Sequence, residues 1–264
     1  MLNFCSLYSG STGNSLFLES DNTKLLIDAG ESAKKISEAL ENINVDIKSL
    51  DGILVTHEHS DHVKSIGTIA QKYNIPVYAN LETWNAMASQ KNKIKNPDNI
   101  KLFSVNEKFN INDIEINPFS IPHDAANPCG FNFFHKNYKL SVATDIGHMT
   151  NDIIENLKDS SFLLLESNYD LNILKCSKYP YSLKQRISGP NGHLSNDMAG
   201  KTIRYLKNFG LKNVVLGHLS KENNFPELAY KTVVEELINN SINENDMHIS
   251  VATRYKSTPL FNLL

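Results

Sequence analysis

The apolar residues of this chain fall in short runs that are separated by polar turns. Three such runs near the start, divided by Gly/Ser-rich turns, predict β-strands at Leu2–Tyr8, Ser15–Glu19 and Lys24–Ile27. Apolar residues then recur at helical spacing up to Leu40 after the N-cap Ser32, which predicts a first helix. A second helix is predicted over Val63–Tyr73, ahead of a short strand at Pro76–Tyr78.

The second half continues this alternation. Short alternating runs from Ile100 to Thr144 predict a second sheet. A helical pattern from Ser195 stops at Gly210, and the last predicted elements are a helix over Glu227–Asn239 and a strand over Met247–Ala252. With 264 residues, 41% of them hydrophobic, the chain can bury one substantial core, so residues 1–264 are predicted to form a single domain.

The densest group of chemically active residues follows the apolar run Gly52–Val55. Residues 57–62 have the pattern H-x-H-x-D-H, formed by His57, His59, Asp61 and His62. His57 and His59 are two positions apart, so both project to the same side of an extended segment. Imidazole binds zinc, iron and manganese, and a carboxylate adds a harder ligand. A polar loop that is histidine-rich by chance is the alternative, but the density of the pattern after a buried strand favours a metal site.

Three later residues stand at similar places. His123, Asp145 and His218 each follow a β-rich run, as His57 does. A single His or Asp after a strand is usually a cap or a loop residue. Because the three come in this order after H-x-H-x-D-H, they are predicted to complete the ligand set of a catalytic metal site.

The order of these motifs resembles that of the metallo-β-lactamase-fold superfamily, and the resemblance covers nearly the whole chain. It implies an α/β fold, a four-layer αβ/βα sandwich with two mixed β-sheets and helices on the outer faces. It also implies two divalent metal ions, with Zn²⁺ as the first candidate and Mn²⁺ or Fe as alternatives. By this resemblance one ion is held by His57, His59 and His123, and the other by Asp61, His62 and His218, with Asp145 bridging both.

Four further motifs resemble the YycJ/WalJ-type branch of this superfamily, bacterial metal-dependent hydrolases or exonucleases that act on DNA. They are Gly-Ser-x-Gly-Asn-Ser at residues 10–15, Glu-Ser-Asn-x-Asp at 166–170, Tyr-Pro-x-x-Leu-Lys-x-Arg-Ile at 179–187 and Gly-His-Leu-Ser-Asn at 192–196. The resemblance implies 5′-to-3′ exonucleolytic cleavage of DNA. Tyr169 departs from the branch, where a His is expected, and a phenol with a pKa of about 10 is a poor general base at neutral pH.

Substrate contacts are predicted at two places. Lys184 and Arg186 lie among further lysines and tyrosines and are predicted to bind the phosphate backbone, although a solvated helix face is the common alternative. Ser11 and Asn14 lie in a Gly-rich turn. That turn either presents backbone N–H groups to a phosphate or is an ordinary hairpin turn.

His193 is the predicted general acid. It lies outside the metal set on a Gly-flanked loop, where it can protonate the leaving oxygen, and it completes a catalytic set with Asp61 and Asp145. The alternative is a surface histidine that precedes a helix with Ser195 as its N-cap.

Charge and cysteine content limit the partners and the compartment. The net charge of −3 predicts no general attraction to polyanions, so binding of nucleic acid, DNA before RNA, has to be local. No apolar run approaches the roughly 18 residues of a membrane span, and the N-terminus shows no signal-peptide pattern. Three widely spaced cysteines, Cys5, Cys129 and Cys176, indicate a reducing compartment. The chain is therefore predicted to be cytoplasmic.

The sequence thus predicts a metal-dependent hydrolase of phosphodiesters that uses a hydroxide bridging two metal ions. A small-molecule thioester or lactone hydrolase of the glyoxalase II type is the alternative, which the acidic balance of charge mildly favours. A regulatory metal-binding module is a third hypothesis. The ligand set argues against it, because structural zinc sites close every coordination position whereas this set leaves room for water.

Overall fold

The computed structural model describes residues 1–243 and 246–263. The strands of this part of the chain are β1 (Leu2–Tyr8), β2 (Ser15–Ser20), β3 (Lys24–Ile27), β4 (Gly52–Leu54), β5 (Val77–Ala79), β6 (Ile100–Leu102), β7 (Phe109–Ile111), β8 (Ile114–Ser120), β9 (Cys129–His135), β10 (Tyr138–Ala143), β11 (Phe162–Glu166), β12 (Asn213–Gly217), β13 (His248–Val251) and β14 (Phe261–Asn262). The α-helices are α1 (Ala33–Glu41), α2 (Ser60–Val63), α3 (Ile66–Tyr73), α4 (Leu81–Ala86), α5 (Ala88–Lys91), α6 (Asn151–Leu157), α7 (Leu171–Cys176), α8 (Tyr181–Ile187), α9 (Asn196–Lys207) and α10 (Pro226–Ile238).

The strands form two mixed sheets of seven strands each. The first has the order β14-β1-β2-β3-β4-β5-β6, antiparallel up to β3 and parallel from β3 to β6. The second has the order β13-β12-β11-β10-β9-β8-β7, with β10 to β13 parallel and the pairs β9–β10 and β7–β8 antiparallel. The predicted class, two mixed β-sheets with helices, is confirmed.

Local sequence signals located several elements accurately. Ser32 caps α1, since its hydroxyl accepts a hydrogen bond from the Lys35 amide, and Ser195 caps α9 in the same way. Gly210 follows α9 with a φ of 86°, a left-handed conformation that glycine adopts without a steric cost.

Two elements differ from the prediction. The helix expected over Val63–Tyr73 is broken into α2 and α3, because the N–H of Ser65 donates to the carbonyl of Ala29 instead of to the preceding helical turn. The run that begins at Ile100 forms β6, which pairs with β5 in the first sheet instead of joining the second.

The chain divides into two compact units. The first comprises residues 1–118, 125–129 and the stretch from Arg254, and the second comprises residues 119–124 and 130–253. Each has its own buried apolar cluster, which includes Leu7, Phe17, Ile53 and Trp84 in the first unit and Phe119, Leu163, Ile203, Leu216 and Leu237 in the second. The assignment of residues 1–264 to one domain stays a prediction.

A membrane-crossing helix would have to be longer and more apolar than any helix found within residues 1–243 and 246–263.

Candidate metal-binding residues

The seven predicted metal ligands are divided between the two units. The first unit contains His57, His59, Asp61 and His62, and the second contains His123, Asp145 and His218. All seven lie beyond the C-terminal end of a strand, as the apolar runs before them predicted.

Five strands are followed by a residue with a left-handed backbone; Asn112 and Lys136 lie in the turns after β7 and β9, and the other three lie at or beside the predicted ligands. Asp28 after β3, Asp145 after β10 and His218 after β12 have φ values of 60°, 60° and 55°. Positive φ is uncommon outside glycine, costs free energy, and is concentrated at functional sites. These three positions are therefore candidates for function independently of the sequence motifs.

In the first unit, the histidine motif brings three imidazole rings together. The ring of His57 lies 4.6 Å from that of His59 and 4.2 Å from that of His62, measured between centroids. His57 and His62 are fully buried. Because His59 occupies the N-cap position of α2, Asp61 and His62 fall within the first turn of that short helix.

A buried carboxylate, Asp28, orients two of these rings. Its Oδ2 accepts from His62 Nδ1 at 2.7 Å and from the Thr56 hydroxyl at 2.8 Å, and its Oδ1 accepts from the Thr56 amide at 2.9 Å. Because the Thr56 hydroxyl gives its one hydrogen to Asp28, it accepts from His57 Nδ1 at 3.0 Å. Both rings therefore carry a proton on Nδ1, which places the metal-binding lone pair on Nε2.

The Gly-rich turn at residues 10–15 contains two predicted substrate contacts, Asn14 and Ser11, which differ in exposure. Asn14 is buried, and its Nδ2 donates to His62 Nε2 at 3.0 Å while its Oδ1 accepts from the Gly10 amide at 2.9 Å. Ser11 is exposed on the same turn. Asn14 thus contacts the histidine motif, whereas Ser11 is accessible from solvent.

In the second unit, polar residues gather at one edge of the sheet. The strands β10, β11 and β12 are parallel neighbours, so their C-terminal ends meet at the same edge. Asp145, Glu166, His193 and His218 lie there, and one potential ligand atom from each lies within 4.8 Å of the others. His123 belongs to the same group, with its Nε2 3.6 Å from Asp145 Oδ1.

Glu166 is the centre of this group and is fully buried. Its Oε1 accepts from Nδ1 of both His193 and His218 at 2.8 Å, and its Oε2 accepts from the amides of Ile146 at 2.7 Å and Leu194 at 3.0 Å. Burial alone raises the pKa of Glu166, but the charge and hydrogen bond of His193 and the hydrogen bond of His218 outweigh it and hold the pKa below its ordinary value. Glu166 is therefore an ionised carboxylate that fixes two imidazole rings.

His123 is held in the same tautomer as the other rings. Its Nδ1 donates to the carbonyl of Gly192 at 3.0 Å, which places the lone pair on Nε2. Burial lowers the pKa of His123, against an opposing effect of Asp145, and this favours the neutral ring that a metal requires.

These donors fit divalent metal ions. His57, His62, His123 and His218 each donate from Nδ1 to an oxygen, so each has its lone pair on Nε2, the arrangement found around metal-bound histidines; in His62 that lone pair accepts from Asn14. Asp61 and Asp145 add carboxylate oxygens, which zinc and manganese accept together with imidazole.

Tyr169, where the resemblance leads us to expect a histidine, is buried. Burial, together with the negative charges of Glu166 and Asp197, raises the pKa of its phenol. The side chain is therefore neutral at physiological pH and cannot serve as a base there.

The two predicted basic contacts lie on α8, whose residues are all at least partly exposed. Lys184 Nζ donates to the carbonyl of Lys175 at 2.6 Å, which ties α8 to the last turn of α7. Arg186 Nε lies 2.6 Å from Oδ2 of Asp124, the residue after His123.

Two site residues were not assigned a role from the sequence: Asp28, which was not singled out, and Glu166, which was noted only as the first residue of the motif at 166–170. Both are carboxylates directly at the end of a buried apolar strand, the same signal that indicated Asp145. That signal could have found them, but their roles depend on histidines that are far away in the sequence.

Comparisons with known proteins show the family of this chain. Residues 23–219 match the family described as beta-lactamase superfamily domain. The chain is 40% identical to the exodeoxyribonuclease YycJ of Bacillus anthracis over 89% of each chain. It is 42% identical to the exodeoxyribonuclease WalJ of Streptococcus pneumoniae, over 88% of this chain and 86% of that protein. Among solved structures, the metallo-beta-lactamase fold protein YhfI from Bacillus subtilis aligns with a TM-score of 0.68 and 14% identity, covering 98% of this chain and 99% of the other.

The structural alignment establishes the fold, and the two sequence relatives establish the branch. The chain therefore belongs to the metallo-β-lactamase-fold hydrolase superfamily, in its YycJ/WalJ-type branch.

Proposed function

We propose that this metal-dependent hydrolase cleaves phosphodiester bonds in DNA and removes nucleotides from the 5′ end. The observation that carries the proposal is the 40–42% identity to two proteins named as exodeoxyribonucleases, over nearly the whole of each chain. Because the net charge is −3, DNA has to be bound locally, through contacts such as Arg186. We place the activity in the cytoplasm, where the thiols of Cys5, Cys129 and Cys176 remain reduced.

The proposed metal ligands follow the order of the superfamily motifs. One ion is assigned to His57, His59 and His123, and the other to Asp61, His62 and His218, with Asp145 shared. When bound, two divalent ions activate water at neutral pH and neutralise charge on the phosphoryl oxygens. Zn²⁺ is the first candidate, and Mn²⁺ and Fe are the alternatives.

His193 is the proposed general acid. Its side chain is 20% exposed, whereas those of His123 and His218 are 1% exposed, so a substrate can reach His193 more easily. Glu166 holds its Nδ1, which leaves Nε2 as the atom that gives a proton to the leaving oxygen. Asp61 and Asp145 complete the proposed catalytic set as carboxylates that would hold the ions.

The test is digestion of 5′-labelled, 3′-labelled and closed-circular DNA, with matched RNA, by metal-free protein reconstituted with Zn²⁺ or Mn²⁺. A His59→Ala variant removes a proposed ligand, and His248→Ala, which changes an exposed histidine of β13, is the matched control. We expect metal-dependent release of the 5′ label by the wild type and by His248→Ala, with circles intact and no release by His59→Ala. Metal-loaded wild-type protein that leaves all nucleic acids intact but hydrolyses thioesters or lactones would contradict the proposal.

A further inference from the structure

We propose that Asp124 competes with the substrate phosphate for the guanidinium of Arg186 and thereby limits how tightly DNA is held beside His193. This inference rests on the proposed function, because it requires a phosphodiester substrate. It assigns a role in substrate affinity to a carboxylate that lies next to a predicted metal ligand.

The ion pair is close and accessible. Arg186 Nε lies 2.6 Å from Asp124 Oδ2, and the side chains are 57% and 34% exposed. A distance this short is typical of a charge-assisted hydrogen bond. Because both partners reach solvent, an anion from solution can approach the guanidinium and replace the carboxylate.

The pair also lies next to the histidines of the second unit. Asp124 Oδ1 is 3.5 Å from His123 Nε2. The amide of His193 donates to the carbonyl of Ile187, the residue after Arg186, at 2.9 Å. A Cβ atom at Gly192 would lie 2.2 Å from the carbonyl oxygen of Arg186, so the loop that joins α8 to His193 is closely packed. The ring of His123 in turn lies 5.3 Å from that of His193, measured between centroids, so a phosphate bound by Arg186 would be near the proposed general acid.

The chemistry of the two anions makes them competitors. A guanidinium presents a planar set of N–H donors that binds carboxylate and phosphate through the same geometry. Asp124 occupies Nε, so a phosphate that binds through the Nε edge of the guanidinium has to displace the carboxylate, whereas a phosphate on the two Nη groups would leave the ion pair intact. Exposed ion pairs are weak, which allows displacement and predicts an effect of about 2- to 5-fold on affinity.

Asp124 could alternatively weaken DNA binding simply by repelling it. Repulsion acts whether or not Arg186 is present, whereas competition requires Arg186. The two explanations therefore differ in what Asp124→Asn does when Arg186 has also been replaced.

The experiment measures binding of a 5′-phosphorylated oligothymidylate with a 3′ fluorophore by fluorescence anisotropy, in a His59→Ala parent that does not cleave it. The variants are Asp124→Asn, Arg186→Gln, Arg186→Lys and the Asp124→Asn/Arg186→Gln pair. Asp246→Asn is the matched control, because it removes the same charge from another ion pair, with Lys207 at 3.0 Å. Thermal unfolding of each variant shows whether it is folded.

We expect Asp124→Asn to bind the oligonucleotide about 3-fold more tightly than the parent and Arg186→Gln to bind it about 5-fold more weakly. For Arg186→Gln, the slope of log affinity against log salt concentration should also be shallower by about one unit. The double variant should bind like Arg186→Gln, Arg186→Lys should be intermediate, and Asp246→Asn should match the parent. Equal tightening by Asp124→Asn with and without Arg186 overturns the inference alone. A parent that binds no DNA, together with a metal-loaded wild type that releases no label from it, overturns the proposed function, and this inference with it.

Discussion

Replacing Glu166 with glutamine tests whether this buried carboxylate fixes the histidines around it. In the wild type its two oxygens accept four hydrogen bonds, two from imidazoles and two from backbone amides. The glutamine side chain has one oxygen and one NH₂ group, so either orientation turns a donor toward two existing donors. The glutamine orientation of lower free energy keeps its oxygen on the amides of Ile146 and Leu194, because backbone amides can only donate. The imidazoles can instead move their proton from Nδ1 to Nε2 and accept from the NH₂ group.

Moving the proton is expected to impair metal binding and catalysis. To accept from the new NH₂ group, His193 and His218 must carry their proton on Nε2 instead of Nδ1. A His218 ring in that tautomer cannot bind metal through Nε2, and the imidazole of His193 loses the carboxylate that orients it. A similar exchange of an orienting carboxylate for an amide in a serine protease triad lowers kcat about 10⁴-fold.

We therefore expect Glu166→Gln to lower kcat by about 10³- to 10⁴-fold on labelled DNA, and to lower metal content. Its free energy of unfolding should fall by only about 1–3 kcal/mol, because the exchanged tautomers preserve most hydrogen bonds. The assays are initial rates on the DNA substrate, metal stoichiometry and urea unfolding. Glu235→Gln, at an exposed pair with Lys231, is the control and should change stability by no more than about 0.5 kcal/mol. Wild-type kcat and metal content in Glu166→Gln would refute the tautomer argument.

Three further predictions follow from other contacts. Asp28→Asn keeps one oxygen for the Thr56 amide and turns its NH₂ group toward His62 Nδ1, and we expect about 10- to 100-fold weaker metal binding in competition with a chromophoric chelator, while Asp246→Asn leaves the affinity unchanged. Burial raises the pKa of the Cys5 thiol above its ordinary value of 9.0, so the stability it contributes is complete below that pH and is lost as the pH rises toward the folded-state pKa. Between about pH 8 and pH 10, the unfolding free energy of Cys5→Ala should therefore fall less than that of the wild type or of the exposed-thiol control Cys176→Ala. Denaturant unfolding at each pH measures this, and an equal fall in all three proteins would contradict the prediction. Chelation of the reconstituted protein should lower its Tm, and by clearly less in a His59→Ala variant, because metal bound to the native state stabilises it by mass action.

Helix ends that are specified by residues within one turn were predicted closely. The N-caps Ser32 and Ser195 and the stop at Gly210 act within one helical turn, so the residues themselves specify where α1 begins and where α9 begins and ends. The break between α2 and α3 escaped prediction, because it depends on a hydrogen bond from Ser65 to Ala29, which lies in another segment.

The same distinction applies to the candidate site. Residue types and spacing are enough to predict that the histidines and aspartates bind metal, since a short strand followed by H-x-H-x-D-H already directs two imidazoles to one side. The roles of Asp28, Glu166 and Asp124 were decided by tertiary structure. Each depends on a partner at least 27 positions away: Asp28 on His62 and Thr56, Glu166 on His193 and His218, and Asp124 on Arg186.

The sequence by itself determined the family and the local helix boundaries and predicted the strand-end metal ligands, because these depend on residue identity and on neighbours within one turn or strand. Tertiary structure decided which sheet β6 joins, which nitrogen each imidazole presents and which anion holds Arg186. Those choices depend on strand pairing and on hydrogen bonds between residues far apart in the chain, and no local pattern specifies such partners.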